Sequence, residues 1–139
     1  MARGPVVVDT DVFSARLIAN SLLARRYEPL LAGRGEIISF QTVAELHYGA
    51  HLSGWGPARL ARLNAAIDAV EVVHTGDELI DTYAQLRVAC TRAGHALHQR
   101  QHDADRWIAA TALRLGIPLV SNDHVFQKAP GLSLETLPS

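Results

Sequence analysis

Asp9, Glu45, Asp105 and Asp123 lie far apart in the chain, each where an apolar run gives way to a helix or where a helix begins. Carboxylates gathered at one point raise one another's pKa by repulsion, so a site built from them either holds protons or binds a cation. Oxygen donors suit a hard divalent ion, which lowers the pKa of water and neutralises phosphate charge. The chemistry this set fits is metal-assisted hydrolysis of a phosphodiester. Asp11 brings a further carboxylate close to Asp9.

The elements that must position these acids follow from patterning. Val6-Val7-Val8 is a β-branched run of the kind a fully buried strand uses, and it stops at Asp9-Thr10-Asp11, which puts Asp9 at a strand's carboxyl end. Over residues 13–31 the apolar Leu17, Ile18, Leu22 and Leu23 recur at helical spacing and Pro29 interrupts the pattern, so a helix pair with one apolar face is expected. Beyond Gly33-Arg34-Gly35, residues 36–40 read as a second strand, with Thr42 capping a helix that carries Glu45 early in its course. Gly54-Trp55-Gly56-Pro57 breaks the chain, residues 58–69 are amphipathic, 70–73 make a short third strand and 77–93 are helical.

Asp105 opens a helix over residues 103–115, whose Ile108, Ala109, Ala112 and Leu115 form a buried stripe. Gly116 ends it. Residues 117–120 are a fourth strand leading to Ser121-Asn122-Asp123, and a fifth is expected over 132–134. Strands alternating with helices give an α/β fold with a parallel sheet covered on both faces. Ligands of such sheets bind beyond the carboxyl ends of the strands, where Asp9 and Asp123 fall.

The chain has 139 residues, 48% of them hydrophobic, and a formal net charge of −1 at pH 7. That composition supports a single domain over residues 1–139 with an ample core, and excludes a protein that coats nucleic acid by overall charge. Any such contact must be local. Lys128 is the one lysine, and the arginines Arg16, Arg25, Arg26, Arg34 and Arg106 are candidate phosphate contacts, since the planar guanidinium fork grips phosphate bidentately. Cys90 stands alone, which excludes an internal disulfide and a cysteine-based zinc site; it reads as a small apolar helix residue. The start leads into only a short apolar run, so neither a signal peptide nor a membrane span is expected, and a cytoplasmic location is the default.

Four stretches in this order carry a family resemblance: Val6-Val-Val-Asp9-Thr10-Asp11-Val-Phe-Ser14, Thr42-Val-Ala-Glu45-Leu-His-Tyr-Gly49-Ala50, Asp105-Arg-Trp-Ile-Ala-Ala-Thr-Ala-Leu and Leu-Val-Ser121-Asn-Asp123. Together they resemble the PIN domain, and more narrowly the VapC toxins of VapBC toxin–antitoxin operons, over nearly the whole length. The resemblance implies a three-layer α/β/α sandwich with a central parallel sheet of four to five strands. It also implies an endoribonuclease dependent on Mg²⁺ or Mn²⁺, with one or two ions, that hydrolyses RNA through a metal-activated water. Asp9, Asp105 and Asp123 would hold the metal, Glu45 would act through a water, and Thr10 and Ser121 would orient carboxylates. A VapB-type antitoxin would hold it inactive, in homodimers built into larger assemblies. Asp11 departs from the family's frequent Asn or Ser, and Ser121 from its frequent Thr.

Plainer readings stand beside these. Asp9 and Asp123 could simply serve turns, Asp105 could favour the positive end of a helix dipole, and Glu45 and Asp103 could be solvated. His47 and His51 are four apart without the Glu of a His-Glu-x-x-His zinc motif, so a surface or packing role is expected. His95, His98 and His102 lead up to Asp105 and could touch RNA or a metal. The stripe Phe13, Leu17, Ile18, Leu22 and Leu23 is either a groove for an antitoxin segment or plain core. Two rival functions remain. Asp9-Thr10-Asp11-Val12 and Gly76-Asp77-Glu78-Leu79-Ile80-Asp81 match motifs of haloacid-dehalogenase-like phosphatases with Asp9 as nucleophile, although Lys128 falls after the second motif where that superfamily has its lysine before it. A non-catalytic module that receives an Arg-bearing antitoxin segment in an acidic cleft is the other.

Overall fold

The computed structural model describes residues 3–138. Five short strands, β1 (Val6–Val8), β2 (Glu36–Ser39), β3 (Glu71–Val73), β4 (Leu119–Val120) and β5 (Leu134–Glu135), form one sheet in the order β3-β2-β1-β4-β5. All pairs are parallel, with Val7 opposite both Ile37 and Leu119, and Val8 opposite Val120. Because side chains alternate along a strand, the run Val6-Val7-Val8 feeds both faces. Val7, Ile37 and Leu119 pack under α5 (Asp77–Ala93) and α6 (Asp103–Leu115), whereas Val6, Val8, Ile38 and Val120 pack against α1 (Thr10–Ser14), α2 (Leu22–Leu31), α3 (Phe40–Leu52) and α4 (Pro57–Asp68). The result is the expected α/β/α sandwich with five strands. No helix among the described residues is long and apolar enough to cross a membrane.

Local chemistry shifts several boundaries from the sequence expectation. Residues 10–31 make the short α1, a 3-10 turn (Ala15–Leu17) and α2, separated where Asn20 takes a φ of 56° and Ser21 caps α2 by accepting from the Ala24 amide. Pro29 does not interrupt α2 but sits inside it. Its missing amide forfeits one bond near the helix end, and the fully buried Tyr27 on the same helix anchors the segment to the core. β2 stops at Ser39 because the Ser39 hydroxyl accepts from the Gln41 amide and starts α3 at Phe40. Thr42 is therefore not the cap but a buried residue of the first turn, and Glu45 falls in the second.

Gly116 closes α6 in the left-handed conformation, φ 67°, and the Ile117 amide reaches back to the Ala112 carbonyl. β4 is shorter than residues 117–120 because only Leu119 and Val120 meet the register. β5 lies at Leu134–Glu135 rather than over 132–134, since the Leu132 amide turns back to Ala129 before pairing begins. Cys90 is a buried core residue of α5, as its apolar reading required.

The strand order reverses direction at β1. The chain moves from β1 to β2 on one side and returns through α6 to β4 on the other, so the carboxyl ends of β1 and β4 open on a crevice at the switch point.

Candidate active site

Asp9 follows β1 directly and caps α1. Its amide extends the ladder to the Val120 carbonyl at 2.9 Å, its Oδ1 accepts from the Thr10 amide at 2.8 Å, and its Oδ2 accepts from the Ser121 hydroxyl at 2.7 Å. Ser121 is fully buried, and the same hydroxyl oxygen accepts from the Asp123 amide at 3.0 Å. One hydroxyl thus locks the two strand ends together. Asp123 Oδ1 in turn accepts from the Val125 amide at 2.9 Å and caps the 3-10 turn His124–Phe126. Thr10 orients Asp9 through its amide; its hydroxyl instead donates to the Thr42 hydroxyl at 2.9 Å, tying α1 to α3.

Asp105 stands in the first turn of α6, half-buried, with Oδ2 2.8 Å from His102 Nδ1. Burial and neighbouring charge act together on these acids. Burial pushes the Asp9 carboxyl up to about 7, the bonds from Ser121 and Thr10 pull it back only in part, and the charges of Asp11 and Asp105 raise it further. Burial also raises Asp105 above its ordinary value, the His102 bond opposes this, and Asp123 and Asp11 add repulsion. Asp11 and Asp105 thus lie near enough to Asp9, and Asp123 and Asp11 near enough to Asp105, for their charges to be felt, and Ser121 links Asp9 to the Asp123 backbone directly. Glu45 stands on α3, across a neighbouring cleft from Thr10. Its Oε1 lies 3.4 Å from Gln41 Nε2, and it lines this cleft of about 260 Å³ with Thr10, Ser14, Leu17, Ile18, Trp55 and Leu63.

Donor chemistry fits a hard divalent cation: four carboxylates, fixed or repelled by their neighbours, gain from a positive charge between them. Among the described residues, no three His, Cys, Asp or Glu side chains stand preassembled as a metal-ligand group. An ion such as Mg²⁺ keeps several waters and needs few protein ligands, so the set need not be closed before it binds.

Other candidates land elsewhere. Arg106 is no surface phosphate contact: it is 2% exposed and its guanidinium is engaged inside the protein, by Asp103 among others. Arg34 is likewise buried and grips Glu135 bidentately at 2.8 and 3.0 Å, which lowers the Glu135 carboxyl below its usual range. Arg16 lies on Glu36 and over the Phe13 ring, and Arg26 donates to the Pro138 carbonyl, whereas Arg25 is exposed. His47 and His51 stack on α3 with ring centroids 6.4 Å apart. The apolar stripe divides, Phe13, Leu17 and Leu23 joining the core while Ile18 and Leu22 remain 61% and 65% exposed.

Sequence reasoning missed one participant, Tyr27, and gave two others different roles: His102 as a possible contact of RNA or a metal, Thr42 as a helix cap. His102 pairs with Asp105 at the i, i+3 spacing that a helix start allows, which was a readable signal. Thr42 and Tyr27 carried none. Tyr27 is fully buried on α2, and its hydroxyl lies 3.0 Å from Asn122 Oδ1 and accepts from the Leu137 amide at 3.2 Å, so it supports the Ser121–Asp123 turn from behind. The phosphatase alternative fails on placement. Asp77 and Glu78 gather with Arg114 and Leu115 at the far end of α6 from Asp105, about 15 Å away at 1.5 Å per residue.

Comparison with known proteins agrees with this fold. No curated protein sequence matches. Among solved structures, the chain is 26% identical to a chain of the DNA-bound VapBC of Salmonella typhimurium, with a TM-score of 0.75 over 98% of both chains. It is 28% identical to VapBC-5 of Mycobacterium tuberculosis, with a TM-score of 0.68 over 97% of this chain and 98% of that one. VapBC2 of Rickettsia felis bound to promoter DNA, at 22% identity and a TM-score of 0.77 over 94% of this chain and 97% of that chain, shares the fold. The PIN domain family model matches residues 6–132, a span that begins with β1 and takes in all four acids together with the crevice between β1 and β4; the chain belongs to the PIN domain family.

Proposed function

We propose that this single-domain chain is the nuclease toxin of a toxin–antitoxin pair, a divalent-metal-dependent endoribonuclease. The observation that carries the reading is Asp9 at the carboxyl end of β1, buried and bonded to Ser121, its carboxyl raised to about 7 by burial and by the charges of Asp11 and Asp105. A cluster so costly without a counter-charge is what a cation site requires.

Asp9, Asp105 and Asp123 would hold Mg²⁺ or Mn²⁺, one ion or two, and Glu45 would act through a water from the adjoining cleft. The ion supplies charge neutralisation for the phosphate and a lowered pKa for water. The remaining work belongs to this chain's own groups. Ser121 and the Thr10 amide fix both oxygens of Asp9, and His102 fixes one oxygen of Asp105, so neither carboxylate has to reorganise when substrate arrives. A water adds to phosphorus and the bond to the 3′ oxygen breaks, leaving a 5′-phosphate and a 3′-hydroxyl. Exposed Arg25 is the candidate phosphate contact that the fold leaves open among those named from sequence.

Neighbouring structures are of VapBC pairs, which supports a VapB-type antitoxin as partner; homodimers built into larger assemblies belong to the same proposal. Exposed Ile18, which lines the cleft with Glu45 and Trp55, offers that partner an apolar seat next to Thr10, the neighbour of Asp9. The deciding experiment incubates purified protein with single-stranded RNA in Mg²⁺, in Mn²⁺ and in EDTA, beside Asp9→Asn and Asp105→Asn. Cleavage that needs the ion and both acids is expected. Cleavage by the variants equal to wild type removes the site assignment, and antitoxin binding without any turnover leaves the non-catalytic module in its place.

A further inference from the structure

Arg106 is the largest fully buried side chain among the described residues, and the groups it holds lie on α5, on α6 and on the chain between them. Its Nη1 donates one N–H to the Leu97 carbonyl at 2.6 Å and the other to the Gln99 carbonyl at 2.7 Å. Nε donates to Tyr83 Oη and Nη2 to Asp103 Oδ1, each at 3.2 Å. Tyr83 itself donates to Asp103 and stacks on Trp107, ring centroids 4.0 Å apart. Both carbonyls lie in the strap between α5 and α6, which consists of two 3-10 turns, Ala96–His98 and Arg100–His102.

The ends of this strap reach two separate carboxylate-bearing elements. His102 meets Asp105 Oδ2 at 2.8 Å on α6. His95 Nε2 meets the Gln127 carbonyl at 2.8 Å, directly after the 3-10 turn that Asp123 caps. We propose that Arg106 is a positioning residue of the metal site: by clamping the strap it sets the spacing between the helix that carries Asp105 and the turn that carries Asp123. This rests on reading the carboxylates as a cation site.

The side-chain chemistry is selective for this task. Four of the five guanidinium donors are in use, two of them on one nitrogen, an arrangement that the single ammonium of lysine does not reproduce. A buried cation whose ion-pair partner is itself largely exposed adds little stability over a well-packed apolar residue, so the clamp's value lies in fixing geometry.

Mn²⁺ binding, followed by the electron paramagnetic resonance of the free ion, tests this without reference to turnover. Arg106→Met is expected to weaken Mn²⁺ binding by about tenfold, as loss of a group that orients metal ligands does. Arg106→Lys should lose less, and His95→Ala, which cuts the strap from Gln127, roughly threefold by the same reasoning. Leu63→Ala, in the core on the opposite face of the sheet, should lower the melting temperature and leave Mn²⁺ affinity unchanged. Wild-type affinity in folded Arg106→Met, or equal weakening in Leu63→Ala, overturns the clamp and leaves the nuclease reading standing. Should Arg106→Met not fold, His95→Ala decides, and unchanged affinity there overturns the proposal. Wild-type protein that binds no Mn²⁺ takes down the cation site and the clamp together.

Discussion

Replacing Asp9 by Asn should reverse the sign of its effect on stability between pH 4 and pH 8. In the native protein burial keeps the Asp9 carboxyl protonated up to about 7, whereas the unfolded chain releases that proton near 3.8. Between those values the native state binds more protons, so the unfolding free energy falls as pH rises and the deficit is complete above about 7. At 1.36 kcal/mol for each pH unit the difference amounts to roughly 4 kcal/mol. Asp105, also raised, adds to it with the same sign. Asn carries no charge and escapes the deficit, but it turns an N–H₂ toward the Ser121 hydroxyl that formerly donated to Oδ2. Losing that bond costs about 1 kcal/mol.

Asp9→Asn should therefore be about 1 kcal/mol less stable than wild type at pH 4 and about 3 kcal/mol more stable at pH 8 without metal, the latter roughly 10 °C in melting temperature for a domain of this size. Calorimetry in EDTA at pH 4, 6 and 8 measures the crossover. Saturating Mg²⁺ should then close the gap at pH 8, because an ion at a hundred times its Kd stabilises wild type by about 2.7 kcal/mol and the variant by less. A variant as pH-dependent as wild type, or destabilised by the same amount at every pH, would show that Asp9 is not held in the environment described.

Tyr27→Phe strips a buried hydroxyl from Asn122 and the Leu137 amide; a loss of about 1–3 kcal/mol in urea denaturation is expected, with no loss counting against the hub. Gly116→Ala meets no neighbouring atom but must hold a φ of 67°, so calorimetry should show a cost of about 1–2 kcal/mol, set by backbone alone. Ile18→Asp, at an exposed site beside the cleft, should weaken antitoxin binding at least tenfold in titration calorimetry while leaving the melting temperature within about 2 °C. Full antitoxin affinity would move the partner's seat elsewhere.

What the sequence revealed and what it concealed divide along a physical line. The β-branching of Val6–Val8 and the helical spacing of the α6 stripe are signals contained in the local sequence, and the sheet and the placement of Asp9 at a strand end followed from them. Boundaries set by one side chain were harder. Ser39 rather than Thr42 caps α3, because either hydroxyl could do so and only the end of the β2 register decides between them. Pro29 misled because the penalty for proline depends on what else anchors its helix, and Tyr27 anchors α2 through contacts 94 to 110 residues away in sequence. Arg106 misled most. Neighbourhood in sequence put it beside Asp105, but on a helix adjacent residues point about 100° apart, so the Asp faces the crevice while the Arg turns into the wall.

That divergence has a consequence for how the site is built. Asp105 and Arg106 leave the helix in different directions, and the strap returns to both: His102 to the acid, Leu97 and Gln99 to the base. On the opposite rim, Ser121 performs the same service for Asp9 and Asp123 with one hydroxyl. Repulsion among the four acids pushes the rims apart, and it is opposed on each side by a buried polar group that makes no charge pair with the acids themselves. Ser121, the Thr10 amide and His102 fix individual carboxylate oxygens before any cation arrives, and drawing the acids together into one ligand set is left to the ion. The same strain predicts where the fold loosens first. Without metal at high pH, hydrogen exchange should rise earliest at the amides of Asp123 and Leu97, which sit on the two rims, and last at Val7 and Ile37 in the centre of the sheet.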